Sequence, residues 1–170
     1  MKSLLGKLGV VLIAVIVLLP YNSLAEIKIQ YDKFKDMTVV STDPKRTKIG
    51  TKLHPTLTLL GTYPSQIPST PKICELGFIL TNPSWAYLDC HHLDCLVDGS
   101  PVKLPPSKHH GTVGKGSVLE QVSVWVPFSI TEQLSKSQKV EFKLCNTEFT
   151  LTKEEMQDLR TFVEAFTEKK

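Results

Sequence analysis

Most of what would announce a chemistry is missing from this chain. There is no G-x-S-x-G elbow, so the local signature of the α/β-hydrolase nucleophile is absent. Gly111-Thr-Val-Gly114-Lys115-Gly116-Ser117 approaches a phosphate loop and fails on spacing. His109 stands where that motif needs Gly, and Gly116 stands where it needs Ser or Thr. There is no internal repeat, and no polybasic field of the kind that holds nucleic acid or an anionic membrane. Nor does any apolar run reach the about 20 residues that a bilayer span requires.

The longest apolar run, Leu8 to Leu19, has twelve residues and ends at Pro20. Lys2 and Lys7 precede it, and Ser23-Leu24-Ala25 puts small residues at −3 and −1 before Glu26. This pattern predicts a signal peptide over 1–25, cleaved after Ala25. No cysteine lies near that point, which argues against a bacterial lipoprotein anchor. Retention of the segment as an uncleaved anchor is the alternative. The expected location is exported, periplasmic or extracellular, with no membrane anchor after cleavage.

Residues 26–170 then form a single globular domain of 145 residues, long enough to bury roughly 68–70% of its unfolded surface. Removing Lys2 and Lys7 leaves 18 basic against 17 acidic side chains. The near-neutral balance gives no reason to expect a nucleic-acid partner. The four cysteines, at 74, 90, 95 and 145, all survive processing, and an oxidising compartment permits disulfides. Three complete pairings exist, and free buried thiols are a further alternative. If 90–95 runs extended, Cys90 and Cys95 lie about 16 Å apart at ~3.3 Å per residue, well beyond disulfide reach unless the segment turns.

Period-2 alternation dominates and predicts a β-rich α+β fold. Cys74, Leu76, Phe78 and Leu80 share one strand face. Val118, Val122, Val124 and Val126 share another, with Leu119, Gln121, Ser123 and Trp125 opposite. Val140 to Leu144 alternates apolar and charged residues, so one face is wet. Thr56–Thr62 and Met37–Ser41 are further strands. Asp98-Gly99 marks a hairpin after Leu93–Val97, and Cys145-Asn-Thr-Glu148 connects Leu144 to Phe149. Thr152-Lys-Glu-Glu155 is a capping box. Met156, Leu159, Phe162, Val163 and Phe166 follow at helical spacing, so an amphipathic helix closes the chain. Ser129-Ile-Thr-Glu132 starts a short helix through Lys136. Segments 63–71 and 105–116 are loops, the second the longest. The expected architecture is an antiparallel sheet or sandwich with this C-terminal helix packed on it, and with Val122, Val124, Val126, Phe142, Leu144, Phe162 and Phe166 in one core.

The densest chemical cluster is Cys90-His91-His92-Leu93-Asp94-Cys95, to which His109 and His110 of the long loop add imidazoles. Thiolate and neutral imidazole bind zinc or copper. These six side chains, Cys90, His91, His92, Cys95, His109 and His110, are therefore the candidate metal ligands. Against that, C-x4-C is not a zinc-finger spacing, and adjacent histidines on a strand point to opposite faces. The plainer alternative has His92 wet, with Leu93 and Cys95 packed inward. Glu120 lies in phase with the buried valines, which makes it either half buried or a strand-end residue reaching water. Trp85 and Tyr87 are expected as core pegs.

Four segments together carry a resemblance: Tyr31-Asp-Lys-Phe-Lys-Asp36, Trp85-Ala-Tyr-Leu-Asp-Cys-His-His92, Asp98-Gly-Ser-Pro-Val102 and Cys145-Asn-Thr-Glu-Phe-Thr-Leu151. The chain resembles a group of small exported bacterial proteins with no assigned function. The resemblance implies one compact domain and brings no catalytic residues. The leading expectation is a non-catalytic exported binding or structural module, without a cofactor. Its protein or small-ligand partner is expected at loops 63–71 and 105–116. An envelope metal-binding protein for zinc or copper is the alternative, and a hydrolase with dispersed residues comes third.

Overall fold

The computed structural model describes residues 26–42, 49–114 and 116–167. The expected signal peptide, most of the polar segment 42–50 and the terminal lysines lie outside them. Two antiparallel sheets and two helices make up the described chain. The six strands of the larger sheet are β1 (Ile27–Asp32), β2 (Met37–Thr42), β3 (Thr56–Pro64), β4 (Ile73–Asn82), β7 (Lys108–Val113) and β8 (Val118–Pro127). Their order is β1-β2-β3-β4-β8-β7. The smaller sheet is formed by β5 (Leu93–Val97), β6 (Ser100–Val102), β9 (Val140–Leu144) and β10 (Thr147–Thr150), in the order β10-β9-β5-β6. Helix α1 (Phe128–Lys136) follows β8, and α2 (Lys153–Thr167) ends the described chain.

Alternation places the inner faces as expected. Leu76 pairs with Val124 and Phe78 with Val122 along the ten-residue β4–β8 ladder, and all four are fully buried. Phe78 packs edge-on against Phe142 at 4.8 Å and Phe149 at 5.4 Å, so the smaller sheet covers this part of the larger one. Helix α2 covers another part: Phe166 meets Tyr63 at 6.0 Å and Phe128 at 5.6 Å. The buried side chains form one continuous cluster that includes Val122, Val124, Val126, Phe142, Leu144, Phe162 and Phe166. Each large apolar side chain buried there contributes about 1.5–3 kcal/mol of transfer free energy.

The turns follow their chemistry. Asp98 and Gly99 both have positive φ, at 49° and 81°, as a two-residue hairpin turn requires. Cys145 also has positive φ, 54°, in the tight turn between β9 and β10. The capping box at α2 forms in both directions: Glu155 N–H donates to Thr152 Oγ1 at 3.1 Å, and Thr152 N–H donates to Glu155 Oε2 at 2.9 Å.

Four expectations need correction. Segment 105–116 is not a single loop, because 108–113 forms β7 and pairs with β8. Its apolar period is hidden because the inward positions are His109 and Gly111. Tyr63 and Pro64 belong to β3 and pair with Thr38 and Met37, which shortens the loop expected at 63–71. Helix α1 starts at Phe128, not Ser129, and Pro127 supplies no side-chain cap. Phe128 N–H instead donates to Lys72 O at 3.1 Å, which satisfies one donor of the helix start. The last correction is Trp85, which is 39% exposed; only Tyr87 is a core peg.

Candidate functional site

Residues 83–92 join β4 to β5 across the inner side of the β7–β8 edge. Their position is set from below by Glu120. Strand alternation turns Glu120 inward with the valines of β8, and it is 0% exposed. A carboxylate there must find donors or the fold loses several kcal/mol. It finds three. Ala86 N–H donates to Oε2 at 2.7 Å, Tyr87 N–H donates to Oε1 at 2.9 Å, and His109 Nε2 lies 3.0 Å from Oε1. A carboxylate only accepts, so in this pair the proton sits on Nε2.

Around this centre the rings are ordered. Trp85 meets His109 edge-on at 5.8 Å. Its indole lies over Gly111, where a Cβ atom would come within 2.2 Å of Trp85 Cζ3. Gly111 is therefore the residue that admits the tryptophan. His91 lies nearly parallel to His109, with ring centroids 6.0 Å apart, and its Nδ1 is buried without a hydrogen-bond partner. Ser107 Oγ donates to the His91 carbonyl. Tyr87 reaches through the core, and its hydroxyl donates to Lys52 O at 3.0 Å. Burial pushes the Tyr87 phenol up; a hydrogen bond from Thr147 pulls it down, and the Glu120 charge adds to the rise.

The far end of the loop is fixed covalently. Cys90 and Cys145 form a disulfide with Cα atoms 6.1 Å apart, and Cys145 N–H donates to His92 O at 2.9 Å. The β5–β9 register, Leu93 opposite Leu144, brings these residues together. Cys74 and Cys95 are free and buried, and burial pushes each thiol up to about 12.

The six side chains named as metal ligands do not meet at one point. Cys90 is in the disulfide. Cys95 packs inward on β5. His91 and His109 stack, whereas His92 is exposed and pairs with exposed Asp94 at 2.9 Å. His110 is exposed, opposite Gln121. Among the described residues, no group of three or more His, Cys, Asp and Glu side chains is arranged to hold a metal ion.

The Glu120–His109 pair has a counterpart elsewhere. Glu155, also buried, accepts Leu57 N–H on Oε1 at 3.0 Å and Thr152 N–H on Oε2, and its Oε2 lies 3.2 Å from His54 Nε2. In both cases a buried glutamate gathers two backbone amides and one imidazole. At Glu155 the arrangement joins α2 to β3. At Glu120 it joins an exposed loop to a sheet. Both Glu120 oxygens accept from donors of the fold itself, Oε1 from Tyr87 N–H and His109 and Oε2 from Ala86 N–H.

A second concavity, a groove of 400 Å³, lies between β5, β9 and β10, lined by Asp94, Leu96, Lys143 and Glu148 among others. Its charges are turned on one another, with Lys143 and Glu148 3.1 Å apart. Among the described residues, no helix is long and apolar enough to cross a membrane. No protein-family model matches the chain, and no curated protein is significantly similar to it.

Proposed function

We propose that this is an exported, non-catalytic binding module whose recognition surface is the 83–92 loop. The observation that carries this reading is how firmly an exposed loop is held. Two amides are fixed by a buried carboxylate, one hydroxyl reaches a second loop at Lys52, and a disulfide closes the end. A connection whose only task is to link β4 to β5 needs none of these. What they hold in place is apolar surface: Trp85 at 39% exposure and Leu88 at 51%. Rigid aromatic and aliphatic anchors of this kind dominate protein interfaces, because little conformational freedom is lost when they dock. The disulfide fits an oxidising compartment, as the N-terminal pattern does. The partner is a protein that buries Trp85 and Leu88. This moves the expected surface from 63–71 and 105–116 to the loop that packs on β7.

Site-specific photocrosslinking tests the reading. A photoreactive residue at Leu88 should give a discrete adduct in the producing cell, and one at exposed Lys143 should not. The Leu88 adduct should weaken when Cys90 and Cys145 are both replaced by Ser. Equal labelling from both positions, or no adduct at Leu88, would reject this surface.

A further inference from the structure

Strand β7 closes the larger sheet beside the loop that carries Trp85, and among the described residues no strand pairs with its outer edge. The ladder shows which groups face that edge. Successive residues of a strand turn their N–H and C=O to opposite neighbours. Thr81 N–H donates to Gly50 O at 3.0 Å on the β3 side of β4, so Leu80 bonds towards β8, where it faces Glu120. Leu119 and Gln121 then bond towards β7, to Thr112 and His110. This leaves the N–H and C=O of His109, Gly111 and Val113 pointing out of the sheet, and no backbone hydrogen bond of the described chain reaches them. Sheet edges are commonly blunted by proline, a bulge or short length. Strand β6, at the edge of the smaller sheet, has three residues and carries Pro101. Strand β7 has six residues, no proline and an unbroken register with β8.

We infer, resting on the recognition surface proposed above, that the partner docks as an extended strand added to β7. What stands on the inner face selects this occupant. His109, Gly111 and Val113 lie on the same face as Trp85, whose indole covers Gly111. Residues directly opposite on neighbouring strands share a face and lie about 5 Å apart. A side chain opposite Gly111 would therefore meet the exposed rim of Trp85. The next side chain on that face would cover Val113, which is 66% exposed. The segment that fits is apolar at these alternate positions; its backbone bonds to β7, and Trp85 sets its specificity. A second copy of β7 paired about Gly111 would set glycine against glycine and offer Trp85 no side chain.

Hydrogen exchange and one proline test this. In the free protein the amides of His109, Gly111 and Val113 should exchange fast, and those of His110 and Thr112 slowly. Val113→Pro removes an outward N–H, a position where an edge strand tolerates proline. Val113→Thr keeps both the N–H and the branched shape. With a photoreactive residue at Leu88 in the producing cell, V113T should retain the adduct and V113P should lower it about tenfold or more. In the purified adduct, His109 and Gly111 should become protected, a readout that stands whether or not V113P folds. No Leu88 adduct in the unaltered chain would reject the surface itself, and this inference with it. A Leu88 adduct that V113P leaves intact, or one in which His109 and Gly111 stay unprotected, would overturn the added strand alone. So would slow exchange at this edge in the free protein, equal loss in V113T and V113P, or an adduct of twice the monomer mass.

Discussion

Replacing Glu120 by Ala should cost about 3–5 kcal/mol, and the loss should begin in the 83–92 loop. The magnitude follows from the three donors. Removing the carboxylate strands the buried Tyr87 N–H, the part-buried Ala86 N–H and the His109 Nε2–H, at about 1–3 kcal/mol for each fully buried group. Ala86 belongs at the low end because water reaches it on loosening, and part of the remaining cost is the space left behind. Glu120→Gln should cost less, because one carbonyl oxygen persists. Its amide nitrogen would still face a donor, so recovery is partial. Urea unfolding gives the total. Amide hydrogen exchange gives the location, since Ala86 and Tyr87 should lose protection before the β4–β8 ladder does. A total below about 1 kcal/mol, or fast exchange of both amides in the unaltered protein, would refute the argument that Glu120 holds the loop.

Breaking the Cys90–Cys145 disulfide releases a span of 55 residues, and loop-closure entropy sets the loss at about 4 kcal/mol; a melting curve with and without reductant should show a clear drop. Phe162→Ala should cost about 3–5 kcal/mol in chemical denaturation, because Phe162 is 0% exposed between α2 and β3. A thiol assay should find Cys74 and Cys95 unreactive until the chain unfolds, and then count two free thiols. Because burial raises both from an ordinary 9.0 to about 12, the unfolded chain releases these protons first. Their contribution is therefore complete below about pH 9 and is lost as pH climbs towards 12; melting temperature should fall less steeply above pH 9 when both are replaced by Ala.

How far the residues announce this arrangement differs from element to element. Strands β4 and β8 are legible because each buries one face and leaves the other half exposed, so apolar residues recur at every second position. Helix α2 is legible because its capping box and its apolar stripe agree. Strand β7 is not, because its inward residues are His109, which meets a carboxylate, and Gly111, which yields space to an indole. Neither looks apolar, and both make sense only once Glu120 and Trp85 are opposite them. Glu120 could be singled out by its phase among the valines, but its partners at 86, 87 and 109 are reached through two separate tertiary crossings. The same holds for Cys90 and Cys145. Their meeting depends on β5 choosing β9, a pairing that local spacing does not encode. The histidines invited a metal reading through their density, whereas the strand and loop geometry disperses them.

Backbone amide relaxation of the oxidised protein tests the central claim most directly, because a surface built for recognition must be ordered before a partner arrives. Residues 85–92 should show order parameters of about 0.85, equal to those of the sheet. Values below about 0.6 across this segment would contradict the account, since Trp85 and Leu88 would then not be held in place by Glu120 and the disulfide.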